Sequence, residues 1–227
     1  MKALFYWASQ VFMRAFARVV WGLRIEGRER VPETGAVVFA ATHESFMDPV
    51  FLGAVCPRVR YLARSSLFVR ADGTRRRLAS WLGSLYGVVE IDRDAGGSEG
   101  LRRSVEELRA GHSLLMFPEG TRSPDGSIRP LQPGVGLIAL RAGVPVVPVS
   151  ISGSRLVWGR GARRPKLFTG PVRVAFGDPT TYQKPTKAAE VAADLRDRLH
   201  RLRGESGPTI PRDGGDEDAD TGGSPST

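Results

Sequence analysis

The sequence has little of what builds metal centres and covalent scaffolds. Its 227 residues include one cysteine, Cys56, and three histidines. A single cysteine cannot form an intramolecular disulfide, so a secreted scaffold held together by disulfides is excluded. Three scattered histidines and one cysteine also cannot assemble a usual zinc ligand set, and we expect no metal site.

Long apolar runs are missing as well. Residues 3–13 carry no charge, but a transmembrane helix needs about 20 predominantly apolar residues. Arg14 and Arg18 fall inside any window of that length at this end of the chain. We therefore expect no simple membrane span, and the same arginines argue against a signal peptide.

Acidic residues are concentrated at the C-terminal end. The chain carries 33 Lys and Arg against 24 Asp and Glu, a net charge of +9, and residues 204–227 hold six acidic residues against one basic residue. This leaves +14 on residues 1–203, which favours an anionic partner: a membrane surface, a phosphorylated small molecule or nucleic acid. Nucleic acid is not expected, because the sequence has no recognition-helix motif and no aromatic platform among its basic residues. Residues 204–227 have almost no apolar side chains and are predicted to be a disordered acidic tail.

Residues 1–26 are predicted to form an amphipathic helix. At about 100° per residue, apolar side chains gather on one side and polar or basic side chains on the other. The apolar side comprises Leu4, Phe5, Ala8, Phe12, Ala15, Phe16, Val19 and Leu23, and the polar side comprises Lys2, Ser9, Gln10, Arg14 and Arg18. This pattern is typical of a helix in a membrane interface and also of a helix packed on its own domain. Taken alone, the segment leaves both interpretations open.

Strand-like and helix-like segments alternate from residue 27 to residue 203. Predicted strands cover residues 36–42, 59–63, 88–91, 113–117, 144–151 and 172–176. One predicted helix follows Asp48 as its N-cap, with Pro49 at its first position, and the other predicted helices cover residues 74–86, 98–110, 134–142 and 187–203. Such alternation predicts an α/β domain with a mostly parallel central sheet and helices on both faces. Ligands of these sheets bind beyond the carboxyl ends of strands, so polar side chains in those places are the candidates for a site.

His43 is the most informative histidine, because it directly follows an apolar strand and precedes Asp48 by five residues. A carboxylate at that distance along a tight turn can orient an imidazole and stabilise its protonated form. The pair would then be a general base and its orienting acid. The spacing alone is a weak signal, since Asp48 followed by Pro49 is also typical of a helix N-cap. His112 and His200 are interpreted as structural or solvated.

Two further segments carry arginines at strand ends. Residues 117–123 (FPEGTRS) offer a close backbone turn at Gly120, a hydroxyl at Thr121 and, at Arg122, a guanidinium that can bind phosphate. The alternative is a plain turn with its arginine in solvent. Residues 87–93 (GVVEIDR) end in Arg93 and indicate little by themselves.

Together these segments resemble the glycerophospholipid acyltransferase family, whose best-known members are the 1-acyl-sn-glycerol-3-phosphate (lysophosphatidic acid) acyltransferases. The similarity covers residues 27–177. It lies in four ordered blocks: HESFMDP at 43–49, GVVEIDR at 87–93, FPEGTRS at 117–123 and VPVVPV at 144–149. Three departures leave the reaction type intact but open the identity of the acceptor head group: Arg64 in place of a lysine, Gln132 in place of a positive charge, and Glu90 in place of an apolar residue.

The resemblance implies transfer of a fatty acyl group from a thioester, on coenzyme A or acyl carrier protein, to the free hydroxyl of a lysophospholipid, with lysophosphatidic acid as the first expectation. His43 would be the base and Asp48 its partner. The acceptor and its phosphate would be held by Arg64, Arg93, Glu119, Gly120, Thr121 and Arg122. No cofactor besides the thioester donor is implied.

Two other expectations follow from this activity, and two alternatives to it stay open. Direct attack is preferred over an acyl-enzyme on Ser45 or Cys56, because Cys56 falls in an apolar segment where a buried thiol is common. Two acyl-chain substrates favour peripheral or monotopic binding of residues 1–26 at the cytoplasmic face of the membrane. The alternatives are a thioesterase, which needs no phosphate-binding arginines, and a non-enzymatic basic module, which needs no histidine base.

Overall fold

The computed structural model describes residues 2–56, 59–64, 88–91 and 97–204. The predicted helix at 74–86 and Arg93 lie outside these ranges, as does nearly all of the predicted acidic tail. The helices are α1 (Lys2–Trp21), α2 (Asp48–Val55), α3 (Gly97–Arg109), α4 (Gly134–Ala142), α5 (Ser154–Trp158) and α6 (Ala188–Arg203), with a 3₁₀ helix at Arg28–Arg30. The strands are β1 (Arg24–Glu26), β2 (Val38–Ala41), β3 (Val59–Arg64), β4 (Val88–Ile91), β5 (Ser113–Met116), β6 (Val146–Ser152) and β7 (Arg173–Phe176).

Seven strands within the described ranges form one sheet in the order β1-β7-β6-β2-β5-β3-β4. All neighbours are parallel except β6 and β7, which are antiparallel. The predicted mostly parallel α/β fold is confirmed. The predicted helix over residues 1–26 is wrong at its C-terminal end, because α1 ends at Trp21 and Arg24–Glu26 form β1. This strand has three residues, with Ile25 alone between two charged side chains, and it forms by pairing Ile25 with Val174 of β7.

Alternate side chains of β2 enter two separate cores, which explains why this strand is apolar throughout. Phe39 packs in a cluster with α1 and α2 that includes Trp21 and Phe51. Val38 packs on the opposite face, in a cluster with residues from α3, α4 and α6. Helices therefore cover both faces of the sheet, and the loop after β2 emerges from the centre of the molecule.

Helix α1 packs on its own domain through a side that is polar at Gln10 and Arg14 and apolar at Ala17, Val20 and Trp21, which are buried in the core. Gln10 Nε2 donates to the carbonyl oxygen of Gly53 at 2.6 Å, and Arg14 Nη2 donates to that of Ala54 at 2.9 Å. Arg28 Nε donates to the carbonyl oxygen of Val55 at 2.9 Å. The last carbonyl groups of a helix have no partner within it, so these three side chains supply donors that the C-terminal end of α2 needs.

The opposite side of α1 stays exposed, and we call it the aromatic face. Trp7 is 63% exposed and Val19 79% exposed. The aromatic face consists of Trp7, Val11, Phe12, Phe16 and Val19. Both interpretations of the amphipathic pattern therefore remain compatible, because packing uses one side of the helix and leaves the aromatic face exposed. No helix in the described part of the chain is long and apolar enough to cross a membrane.

Candidate active site

The His43 and Asp48 side chains meet just beyond the carboxyl end of β2. His43 lies two residues after the strand, and its Nδ1 atom is 2.8 Å from Asp48 Oδ2. Asp48 is fully buried, whereas the His43 side chain is 17% exposed. An imidazole with one nitrogen fixed by a buried carboxylate and a partly open ring is the arrangement that a general base requires.

The Asp48 carboxylate is held by three further donors. The backbone N–H groups of Glu44 and Ser45 donate to Oδ2 at 2.8 and 2.7 Å, and Ser154 Oγ donates to Oδ1 at 2.5 Å. These three donors hold the carboxylate oxygens in place. The N-cap interpretation of Asp48 is wrong: α2 begins at Asp48, its N-cap residue is Met47, and the carboxylate bonds backward to the preceding loop.

The segment 117–123 lies directly against His43. The Phe117 ring stacks on the imidazole with centroids 4.0 Å apart. The His43 N–H donates to Glu119 Oε1 at 2.8 Å, and the Ser123 N–H donates to the His43 carbonyl oxygen at 2.7 Å. Glu119 also accepts from the Arg129 N–H at 3.0 Å, and burial raises the pKa of its carboxyl group. Through these hydrogen bonds, Glu119 stabilises the loop that carries His43.

Arg122 lies at the rim of the same site. Its guanidinium carbon is 4.4 Å from the centroid of the Phe46 ring, and the centroid of the Trp158 ring is 5.2 Å from that of Phe46. Such a cation–π contact restricts the guanidinium. Gly120 has a φ of 74°, which favours glycine at this turn, and Thr121 is exposed beside it.

The remaining predicted residues divide into two groups. Arg64 ends β3, whose carboxyl end lies at the same edge of the sheet as that of β2, because β3, β5 and β2 are parallel; nothing is described of its side chain. Arg93 lies outside the described ranges. Ser45 Oγ is buried and donates to the Trp158 carbonyl oxygen at 3.0 Å. Cys56 is buried at the far end of α2, and burial raises the pKa of its thiol.

Ser154 is a site residue that motif reading missed. It is fully buried, and it reaches Asp48 from 106 positions further along the chain. One signal could have found it: Ser154 lies just after β6, the strand that neighbours β2 in parallel, and residues after adjacent parallel strands converge. Gly153, with a φ of 83°, turns the chain there; an added Cβ would lie 2.3 Å from the Pro171 carbonyl oxygen.

Glu44, which follows His43 in the chain, lines a separate cavity. The cavity has a volume of about 620 Å³ and is also lined by Arg155 and Arg203. Glu44 Oε1 is 3.6 Å from Arg203 Nη2 and has no hydrogen bond. Burial raises the pKa of Glu44 from 4.5 to about 7, which exceeds the opposing effect of Arg203.

We expect this buried carboxyl group to make folding pH-dependent. The folded state retains the Glu44 proton up to about pH 7, whereas the unfolded chain loses it near pH 4.5, so stability falls as pH rises through that window. Glu44→Gln removes the effect. Its free energy of unfolding, relative to wild type, should increase by about 2 kcal/mol between pH 5 and pH 8. Urea denaturation of both proteins measures this, and a difference that does not change with pH would contradict it.

Fold and site together define an α/β protein with a histidine–aspartate pair beyond the carboxyl end of a central strand. Residues 22–152 match the family model described as Acyltransferase. The chain belongs to the glycerophospholipid acyltransferase family, and the prediction made from the four blocks is confirmed.

Individual proteins that are similar in sequence support the same family. A chloroplastic 1-acyl-sn-glycerol-3-phosphate acyltransferase of Brassica napus is 32% identical over 158 residues, which cover 68% of this chain and 44% of that protein. A lyso-ornithine lipid O-acyltransferase of Pseudomonas aeruginosa is 38% identical over 117 residues, which cover 51% and 43%. The chain thus spans less than half the length of either relative.

A solved structure is similar in fold. The crystal structure of the 1-acyl-sn-glycerophosphate (LPA) acyltransferase PlsC from Thermotoga maritima gives a TM-score of 0.63 at 24% sequence identity. The similarity covers 80% of this chain and 71% of that one. At this identity the comparison shows a shared fold.

Proposed function

We propose that the protein transfers a fatty acyl group from a thioester to the free hydroxyl of a lysophospholipid, with lysophosphatidic acid as the acceptor to test first. The observation that carries this proposal is the His43–Asp48 pair, whose buried carboxylate fixes the imidazole while the ring stays partly open. Arg122 lies at the rim of this site, where it can bind an acceptor phosphate. Arg64 and Arg93 are proposed to add to that contact.

The chemistry needs one base and no covalent enzyme intermediate. With Nδ1 committed to Asp48, His43 Nε2 takes the proton of the acceptor hydroxyl as its oxygen attacks the thioester carbonyl carbon. The tetrahedral oxyanion that forms collapses to the ester and expels the thiolate, which takes the proton back from the imidazolium. Asp48 stabilises that imidazolium while it exists.

The environments of Ser45 and Cys56 support direct attack. Ser45 Oγ donates to the Trp158 carbonyl oxygen and accepts from the Met47 N–H at 3.1 Å, so the hydroxyl is engaged on both sides. Burial raises the pKa of the Cys56 thiol, which keeps it protonated at neutral pH. Neither residue has the features of an activated nucleophile.

Release of free thiol from oleoyl-coenzyme A in mixed micelles tests the function. Release that requires lysophosphatidic acid, with phosphatidic acid as product, supports acyl transfer to that lipid. Release without an acceptor would indicate a thioesterase. If lysophosphatidic acid is inert, a lyso-ornithine lipid is the second acceptor to try, because the Pseudomonas aeruginosa relative is named for it. Acyl carrier protein thioesters test the other donor.

The aromatic face of α1 is proposed to bind the membrane surface, which would place the enzyme peripherally at the cytoplasmic face. Phe12 and Val19 are among its most exposed side chains, and burial of such side chains in an interface contributes roughly 1.5–3 kcal/mol each. Phe12→Asp with Val19→Asp should therefore weaken binding to anionic vesicles at least tenfold, without loss of melting temperature. Sedimentation with vesicles measures the binding; an unchanged vesicle-bound fraction would contradict this prediction.

A further inference from the structure

Residues 159–170, which we call the basic loop, carry an unusual surface. The four cations Arg160, Arg163, Arg164 and Lys166 are exposed, and residues 126–177 contain no acidic residue. Two apolar side chains follow: Leu167 is 56% exposed and Phe168 is 73% exposed. Phe168 also has a φ of 55°, a left-handed conformation that bulky residues rarely adopt. Packing inside the domain explains neither side chain.

The basic loop is attached beside the aromatic face of α1. Trp21 Nε1 donates to the Lys166 carbonyl oxygen at 2.9 Å, and the Lys166 N–H donates to the Val157 carbonyl oxygen at 2.8 Å. The Trp21 ring meets Phe16 edge-on, with centroids 5.6 Å apart, and Phe16 belongs to the aromatic face. Leu167 and Phe168 therefore leave the domain next to the C-terminal half of that face.

The other end of the basic loop is fixed to the active site. Trp158 immediately precedes the loop, and its Nε1 atom donates to the Ala162 carbonyl oxygen at 3.0 Å. Its own carbonyl oxygen accepts from Ser45 Oγ and from the Phe46 N–H, both at 3.0 Å. Ser45 and Phe46 lie in the turn formed by residues 43–48, which we call the catalytic turn. Trp158 therefore contacts both the basic loop and the catalytic turn.

We propose that the basic loop is a second membrane-contact element, in which Leu167 and Phe168 insert into the interface of an anionic bilayer and the surrounding cations bind lipid phosphates. Apolar side chains beside clustered arginines are the combination that such an interface accommodates. Together with the aromatic face, the basic loop forms one membrane-facing surface. Through Trp158, the loop also holds Phe46, which lies at the rim of the active site, close to the bilayer. This inference rests on the proposed function at a lipid surface.

An acidic protein is the other partner that could bind four cations. The exposed apolar side chains of Leu167 and Phe168 favour a bilayer over an acidic protein. Charge complementarity alone would leave Leu167 and Phe168 in water, whereas a bilayer interface accepts the cations and the apolar side chains together. Continuity with the aromatic face favours the same choice, because neighbouring apolar surfaces can enter one bilayer at once.

Vesicle sedimentation of the full chain tests the inference without any substrate, so failure of acyl transfer would not affect the result. Leu167→Asp with Phe168→Gly should weaken binding to phosphatidylglycerol-containing vesicles at least tenfold. Phe168→Gly alone should weaken binding while leaving the melting temperature unchanged or higher, since glycine accepts a positive φ. Arg160→Ser, Arg163→Ser and Arg164→Ser together should remove most of the preference for anionic over phosphatidylcholine vesicles.

Leu137→Asp is the matched control, because Leu137 is exposed on α4, a helix that packs on the opposite face of the sheet from α1. It should bind vesicles as wild type does. Wild-type protein that does not bind anionic vesicles, unchanged binding of the loop variants, or an equal loss in Leu137→Asp would each overturn the proposal. Unchanged vesicle binding with loss of binding to acyl carrier protein would assign the loop to an acidic protein instead.

Discussion

We expect His43→Ala to lower kcat/KM for acceptor-dependent thiol release by about 10²–10⁴-fold, the contribution typical of a positioned general base. An alcohol is a poor nucleophile at neutral pH, and within the site His43 is the group whose free ring nitrogen can take its proton. The measurement compares initial rates of thiol release from oleoyl-coenzyme A with and without lysophosphatidic acid. KM for the acceptor should change little, because Arg122 is unaffected.

The fold of this variant should persist. The contacts that hold residue 43 in place, from Glu119 and Ser123, are made by its backbone, and alanine keeps them. His112→Ala is the matched control: His112 is also partly exposed and lies 3.0 Å from a carboxylate, that of Glu107, but far along the chain from the catalytic turn. Wild-type activity in His43→Ala, or an equal loss in His112→Ala, would contradict the assignment of the base.

The parts of the site that could be predicted from the sequence are local. His43 and Asp48 are five positions apart on either side of one tight turn, so their meeting depends on few backbone angles. The block at 117–123 was assigned by resemblance; the structure adds the reason for its position, which is that β5 and β2 are adjacent parallel strands ending at one edge. Ser154 could not be assigned from spacing, because its contact with Asp48 spans 106 positions.

The N-terminal helix shows a different limit of sequence patterns. Periodicity correctly groups Phe12, Phe16 and Val19 on one side of α1, but it wrongly adds Leu23, which lies beyond the helix and is buried. It also does not say which side faces the domain. The side that packs carries Gln10 and Arg14, which donate to carbonyl groups at the end of α2. The same side carries Ala17, Val20 and Trp21, which are buried in the core. That choice depends on a helix that lies about 40 residues further along the chain. It is also the reason why the aromatic face remains available for a bilayer.

We expect Asp48→Asn to fold normally and yet lower kcat/KM by roughly 10²–10⁴-fold. An asparagine oxygen can accept from His43 Nδ1 and from the N–H groups of Glu44 and Ser45, as Asp48 Oδ2 does now. The amide NH₂ then faces Ser154 Oγ, which can rotate its hydrogen away and accept. The geometry is retained, but the imidazolium that forms during acyl transfer loses its counter-charge.

Two further variants separate the effect of the Asp48 charge from the effect of its hydrogen bonds to the surrounding loop. Asp48→Ala leaves the N–H groups of Glu44 and Ser45 without their buried acceptor, at a cost of about 1–3 kcal/mol for each such group, and should lower the melting temperature as well as the activity. Ser154→Ala removes one donor to the carboxylate and should lower activity far less than Asp48→Asn. Thermal unfolding and the thiol-release assay, run on all three variants, test the argument. If Asp48→Asn were as active as wild type, the carboxylate would serve only to fold the turn, and His43 would act as base without a buried counter-charge.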